Sequence, residues 1–87
     1  MTKKVGYYQV SMPEDEVSRR TESHLLGHGF EVAGTGAGST EFSTTDRVKF
    51  KAGCRWLAAH KVSFGADIVY ADGNFKQLNS MKAIGRI

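Results

Sequence analysis

The chain has 87 residues, of which 40% are hydrophobic and 24% charged, and its formal net charge is +3. This length fits one domain, and the composition, with five Phe, three Tyr and one Trp, argues against intrinsic disorder. A single cysteine excludes an internal disulfide framework and is typical of a reducing compartment. We therefore expect one compact domain over residues 1–87, located in the cytoplasm.

No segment of the sequence approaches the roughly 18 consecutive apolar residues of a membrane span. The N-terminal segment has basic residues but no apolar run of signal-peptide length, so we expect neither secretion nor a membrane partner. Acidic residues gather before residue 23, and basic residues outnumber acidic ones after Asp46. The sequence therefore predicts a molecule with an uneven charge distribution.

The first predicted element is a strand over residues 4–11. Its alternation places Tyr8 and Val10 on one face and Tyr7 and Gln9 on the other. The aromatic and β-branched side chains of this segment also favour a strand.

The segment Ser11-Met12-Pro13-Glu14 has the pattern of a helix start. The serine can accept a hydrogen bond from a free amide, the glutamate completes a capping box, and proline suits a first turn. The pattern predicts a helix that runs to about Leu26 and is ended by Gly27 and Gly29.

Residues 30–44 resemble a hairpin with its tip near Gly38-Ser39. Its glycine alternation, G-x-G-x-G, is not a nucleotide-binding fingerprint, because extended sequence and not a helix follows it. If residues 30–38 form one strand, then Gly34, Gly36 and Gly38 lie on one face. Such a bare face indicates close contact, either with the protein's own second helix or with a partner.

A second helix is predicted over residues 47–61, with Phe50, Cys54 and Leu57 on its apolar face. The alternative is a strand at 47–51 followed by a shorter helix at 54–62, because Val48-Lys49-Phe50-Lys51 alternates and Gly53 interrupts the helical pattern.

On such a helix, Arg47, Lys51 and Arg55 form one stripe, with Lys49 at its flank and Trp56 beside it. Cations next to an aromatic ring are typical of phosphate contact with base stacking, so these residues are the candidate site for a protein or nucleic-acid partner. A solvated helix face would give the same pattern.

A further strand follows at 67–71, and Asp72-Gly73 predicts a tight turn. Residues 74–87 fit either a returning strand or a short helix. The resulting order, β-α-β-β-α-β, predicts an α+β fold of the ferredoxin-like type, with two helices on one face of a small antiparallel sheet. Many unrelated functions occur on this fold.

Other chemistry finds little support in the sequence. His24 and His28 have metal-ligand spacing, and His60 could join them if the helices pack side by side, but no acidic ligand or Cys-x-x-Cys accompanies them. Cys54 is best interpreted as a small buried hydrophobe. We expect no cofactor, no metal and no enzymatic activity.

The leading hypothesis is a small binding or regulatory protein that acts through protein–protein contacts, as an inhibitor or accessory factor of a larger complex. Homodimerisation through a sheet edge is a variant of this hypothesis. The alternative is a nucleic-acid-binding module that uses the basic second helix.

Overall fold

A computed structural model of the protein describes residues 3–87, so residues 1 and 2 of the predicted domain lie outside it. This part of the chain has an α+β fold with five strands and three helices. The strands are β1 (Val5–Pro13), β2 (Glu31–Gly36), β3 (Ser39–Thr44), β4 (Gly65–Tyr70) and β5 (Phe75–Leu78). The helices are α1 (Arg19–Gly27), α2 (Arg47–Ala59) and α3 (Met81–Gly85), and a short 3₁₀ turn covers Glu14–Glu16.

The strands form one antiparallel sheet in the order β2-β3-β1-β4-β5. Strand β1 is central, and its Val10 lies between Phe42 of β3 and Ala66 of β4. The described chain has one strand and one helix more than the predicted order. Both come from the segment 74–87, which forms β5 and then α3, so each of the two alternatives describes part of it.

The core lies between one face of the sheet and the helices. Tyr8, Val10 and Met12 alternate along β1 and are all buried, and the shared face of Tyr8 and Val10 is as predicted. The Tyr8 ring stacks on Phe50 of α2 with 5.0 Å between ring centroids. Burying each large side chain of this kind contributes about 1.5–3 kcal/mol, so this alternation fixes which sheet face the helices cover.

The predicted start of the first helix is wrong. Strand β1 continues through Met12, which is fully buried opposite Thr40 of β3, so sheet pairing prevails over the local capping pattern at residues 11–14. Helix α1 starts instead after Ser18, whose Oγ accepts a hydrogen bond from the Thr21 amide at 3.1 Å. A capping motif seen in sequence is thus overridden when its residues are needed to fill a core.

The predicted C-terminal end of this helix is confirmed within two residues. Gly29 has a φ of +88°, and the Phe30 amide donates to the Leu25 carbonyl at 3.0 Å. This is the hydrogen bond of a Schellman motif, which needs a left-handed residue at the position that Gly29 holds.

The second helix is confirmed, and the alternative strand at 47–51 is not found. Asp46 caps α2 by accepting the Lys49 amide at 3.0 Å. Gly53, which made the helix doubtful, is buried, and a Cβ there would lie 2.6 Å from Cε1 of Phe30. The glycine is therefore explained by close packing of an aromatic ring on the helix backbone.

Replacing Gly53 by alanine should destabilise the protein. The substitution gains about 1 kcal/mol of helix propensity, but it displaces a buried Phe30 ring at a cost of about 1–3 kcal/mol, so we expect a net loss near 1 kcal/mol. Chemical denaturation would measure it. Gly27→Ala is the control, because no atom lies within 4 Å of its added Cβ. Equal stability of the two variants would contradict this account of Gly53.

Candidate functional site

The sheet has a second face that no described helix covers, and we call it the open face. The pairing register of the strands shows which residues lie on the open face, because residues that pair directly across neighbouring strands point to the same side of the sheet. None of them is buried. They are Glu31, Gly34 and Gly36 of β2, Ser39, Glu41 and Ser43 of β3, Tyr7, Gln9 and Ser11 of β1, Gly65, Asp67 and Val69 of β4, and Phe75 and Gln77 of β5.

One end of the open face carries two aromatic side chains. Tyr7, Val69 and Phe75 form a row across β1, β4 and β5. Phe75 is 70% exposed and Tyr7 37% exposed. Together with Gln9, Asp67 and Gly73 they line an open cavity of about 310 Å³. The face thus has a concave aromatic end.

The charged side chains of the open face are all acidic: Glu31, Glu41 and Asp67. Burial, and to a smaller extent the negative charge of Glu41, raises the pKa of Asp67 above its ordinary value. Asp67 lies between two uncharged amide side chains, Gln9 and Gln77, in its row. A cation arriving at this face would meet no like charge from the strands.

The predicted glycine face is only partly present. Gly34 and Gly36 lie on the open face, but a register shift between Val32 and Gly34 and a turn at Gly38 interrupt the alternation. Ala37 and Gly38 both have positive φ, as a tight hairpin turn requires, so Gly38 serves the turn and not the face. The expected hairpin tip is confirmed.

The glycines are not contacted by the second helix. A Cβ built on Gly36 or Gly38 has no neighbour within 4 Å, and one on Gly34 meets only the Glu41 carboxylate at 3.6 Å. The glycines, with Ser11, Ser39 and Gly65, instead give this end of the open face small or absent side chains around Glu41, which lies between Gly34 and Ser11.

The basic residues of the predicted helix stripe do not share one role. Arg47, Lys49 and Arg55 are exposed on α2. Lys51 is half-buried, and its Nζ donates to the carbonyl oxygens of Gly85 and Ile87 at 3.1 and 3.2 Å. Lys51 therefore stabilises the C-terminal end of α3. The basic residues of the predicted stripe that remain exposed are fewer than its spacing predicted.

Trp56 belongs to a column of four stacked rings between α1 and α2. His28, His24, Trp56 and His60 follow one another with 4.0 Å between successive ring centroids. Arg20 lies over Trp56 at 5.9 Å and contacts Nε2 of His60 at 3.1 Å. Because histidines cover both faces of Trp56, a nucleic-acid base could stack on it only by displacing one of them.

The contacts of His60 fix its tautomer. Arginine can only donate, so Nε2 of His60 accepts from Arg20, while Nδ1 donates to the Trp56 carbonyl at 2.8 Å. His24 and His28 stack on each other, but the Trp56 ring separates them from His60, so the three histidines do not converge on a common point. Among residues 3–87, no group of three or more His, Cys, Asp or Glu side chains is placed to hold a metal ion.

Cys54 is fully buried, and desolvation raises its pKa to about 12. Its thiol is therefore protonated at neutral pH, and a thiolate nucleophile is not available at this position. This agrees with the interpretation of Cys54 as a small hydrophobe.

No family model, curated protein or solved structure matches this chain. Within the described residues, no helix is long and apolar enough to cross a membrane.

The ring column predicts a loss of stability in mild acid. Burial, and then His28, His60 and Arg20, lower the pKa of His24 below 6.5. The unfolded chain therefore binds more protons than the native one as pH falls below 6.5, and the free energy of unfolding decreases. His24→Phe keeps a stacking ring without a titrating group, so denaturation midpoints between about pH 7.5 and about pH 5 should change less in this variant. Equal pH profiles would rule out this role for His24.

Proposed function

We propose that this protein is a non-enzymatic binding module that recognises a partner protein through the open face of its sheet. The observation that carries the proposal is the exposure of Phe75 and Tyr7 on a face that no described element covers. Solvated faces of antiparallel sheets are ordinarily polar, whereas aromatic side chains are enriched at protein interfaces. Exposed aromatic rings beside a cavity are therefore better explained by a partner than by solvation.

The edge of the sheet supports the same function. Strand β2 is the last strand on its side, all of its residues are exposed except the half-buried Gly34, and its outer backbone groups face away from β3. Such an edge can accept an added strand from a partner. If the added strand were β2 of a second copy, the product would be a homodimer.

For the fold, we propose a ferredoxin-like core that consists of β1, α1, β2, β3, α2 and β4. The neighbour order β2-β3-β1-β4 supports this proposal, with β5 and α3 as an extension beyond β4. A cytoplasmic location is part of the same proposal and is supported by the free, buried Cys54.

Affinity capture from a nuclease-treated extract of the protein's own cells would test the binding function. In Tyr7→Thr/Phe75→Thr, threonine keeps strand propensity but removes both rings, so we expect partner recovery to fall at least about tenfold. The matched control Arg47→Gln/Arg55→Gln alters the helix layer and should retain the partner. Recovery that is unaffected by the open-face substitutions, or lost only in the control, would refute the proposal.

Nucleic-acid binding by the helix layer is the second candidate, and the separation of charge favours it. Arg47, Lys49 and Arg55 are exposed on α2, on the opposite side of the sheet from the three carboxylates of the open face. Phosphate contact would therefore occur through α2, and the open face would repel a nucleic acid.

The test of this second candidate is the salt dependence of binding to a mixed-sequence oligonucleotide. If Arg47 and Arg55 each contact a phosphate, Arg47→Gln/Arg55→Gln should reduce the slope of log K against log salt by about 2. Lys76→Gln, on β5, is the control and should leave the slope unchanged. Lys51 is unsuitable for this test because it holds α3. An absence of binding at low salt would end this candidate.

A further inference from the structure

The aromatic cavity of the open face has the chemistry of a receptor for an organic cation. We propose that the space between Tyr7 and Phe75, above Val69 and beside Asp67, binds the guanidinium or ammonium group of an arginine or lysine in an extended basic segment of a partner protein. This inference rests on the proposed binding function and specifies the group that the open face recognises.

The spacing of the two rings suits a flat cation. Tyr7 and Phe75 flank Val69 on the two neighbouring strands, so their Cα atoms lie about 10 Å apart across the sheet. Two facing rings with a planar group between them need about 7–8 Å, since each contact takes about 3.5–4 Å. The intervening Val69 is small enough to leave this space open as part of the cavity of about 310 Å³. A cation there would lie between the two aromatic side chains, which can attract it through their ring faces.

The carboxylate of Asp67 lies in the row of side chains next to the row of Tyr7, Val69 and Phe75. Asp67 is two residues from Val69 on β4, so its side chain is on the same face at a distance of about 7 Å along the strand. That is within reach of a guanidinium held between the rings. Gln9 and Gln77, which flank Asp67, add amide oxygens that can accept further hydrogen bonds from the same group.

The charges of the open face exclude other ligand classes. Its strand residues include Glu31, Glu41 and Asp67 but no lysine or arginine. A phosphate or an acidic peptide would be repelled here, whereas a cation would offset the two causes that raise the pKa of Asp67, which are burial and, to a smaller extent, the negative charge of Glu41. The guanidinium of arginine suits the site better than an ammonium because it is planar and can bond a carboxylate at two points.

The rest of the face favours an extended segment over a free small molecule. Beyond Asp67 the surface is formed by Gly34, Gly36, Ser11, Ser39 and Gly65, and Glu41 between Gly34 and Ser11 is the one long side chain among them. A main chain can lie close to such a surface, and its basic side chain would then reach the aromatic end.

The test is a titration of the ¹⁵N-labelled protein with a capped Gly/Ser peptide that contains one arginine, compared with its citrulline counterpart. Citrulline has nearly the same shape without the charge. We expect saturable shifts of the Gln9, Asp67 and Gly73 amides, with at least about fivefold weaker binding of the citrulline peptide. Free N-acetyl-arginine amide is included, and the proposal requires that it bind more weakly than the peptide.

Variants of the protein define the site. Asp67→Asn and Phe75→Leu should each weaken arginine-peptide binding at least about fivefold. Glu31→Gln is the matched control, because it removes a carboxylate of the same face on the edge strand β2, far from the cavity, and should change affinity less than twofold. Amide spectra of each variant establish that it is folded.

Four results would overturn the proposal: equal affinity for the citrulline peptide, binding of N-acetyl-arginine amide as tight as that of the peptide, unchanged affinity of Asp67→Asn, or sedimentation of a dimer that Phe75→Leu dissociates. The capture experiment separates the two proposals. A partner that is lost with Tyr7→Thr/Phe75→Thr but kept with Asp67→Asn would preserve the binding function and reject the cation receptor. Arginine-peptide binding that is lost in Asp67→Asn, together with a captured partner that Tyr7→Thr/Phe75→Thr retains, would keep the cation site and reject the open face as the surface that binds this partner.

Discussion

The structure depends on the burial of one face of the sheet by all of the described helices. Tyr8 of the central strand stacks on Phe50, and Leu25 and Ile84 bring α1 and α3 to the same core. A chain of this length builds two layers around one core. The pairing that buries Tyr8 therefore exposes Tyr7, because successive side chains of a strand point to opposite faces. The open face is a direct consequence of that packing.

The same two-layer arrangement separates the charges. The net charge of +3 suggests a mildly basic protein, but the exposed basic residues of α2 and the carboxylates of the open face lie on opposite sides of the sheet. Arg47, Lys49 and Arg55 are exposed on α2, whereas the charged strand residues of the open face are Glu31, Glu41 and Asp67, and the core lies between the two sets. Since charges separated by more than a Debye length of about 8–10 Å interact weakly, each surface presents its own sign to a partner. A basic ligand and a phosphate ligand would thus bind opposite sides of the molecule.

Much of the local structure could be predicted from the sequence. The alternation of β1, the helical face of Phe50, Cys54 and Leu57, and the hairpin turn near Gly38 all follow from periodicity or turn chemistry, which act over a few residues. The start of α1 could not be found in this way. Its false signal at Ser11 is local, whereas the pairing of Met12 with Thr40 that overrides it joins residues far apart in sequence.

The candidate site was less accessible to sequence reasoning for the same reason. The role of Lys51 depends on Gly85 and Ile87, and the environment of Trp56 depends on His24. Part of the open face could be predicted from the sequence, because the alternation of β1 already placed Tyr7 and Gln9 on the same side of the strand. Asp67 and Phe75 could join them only after β4 and β5 were paired with β1 in the right register, and a shift by one residue would have turned both side chains toward the helices.

Asp67 adds a second physical reason, beside the exposed rings, for the role that we propose for the open face. Its carboxylate is partly desolvated and lies near Glu41, and both effects disfavour its charge. Asparagine would fill the same space without that cost, and a small domain has little stability to spare. An ionised side chain such as that of Asp67 lowers the stability of the free protein, and a ligand that compensates its charge in a complex would account for its presence. The compensating charge must be positive, and the neighbouring aromatic rings are the side chains that bind such a charge well.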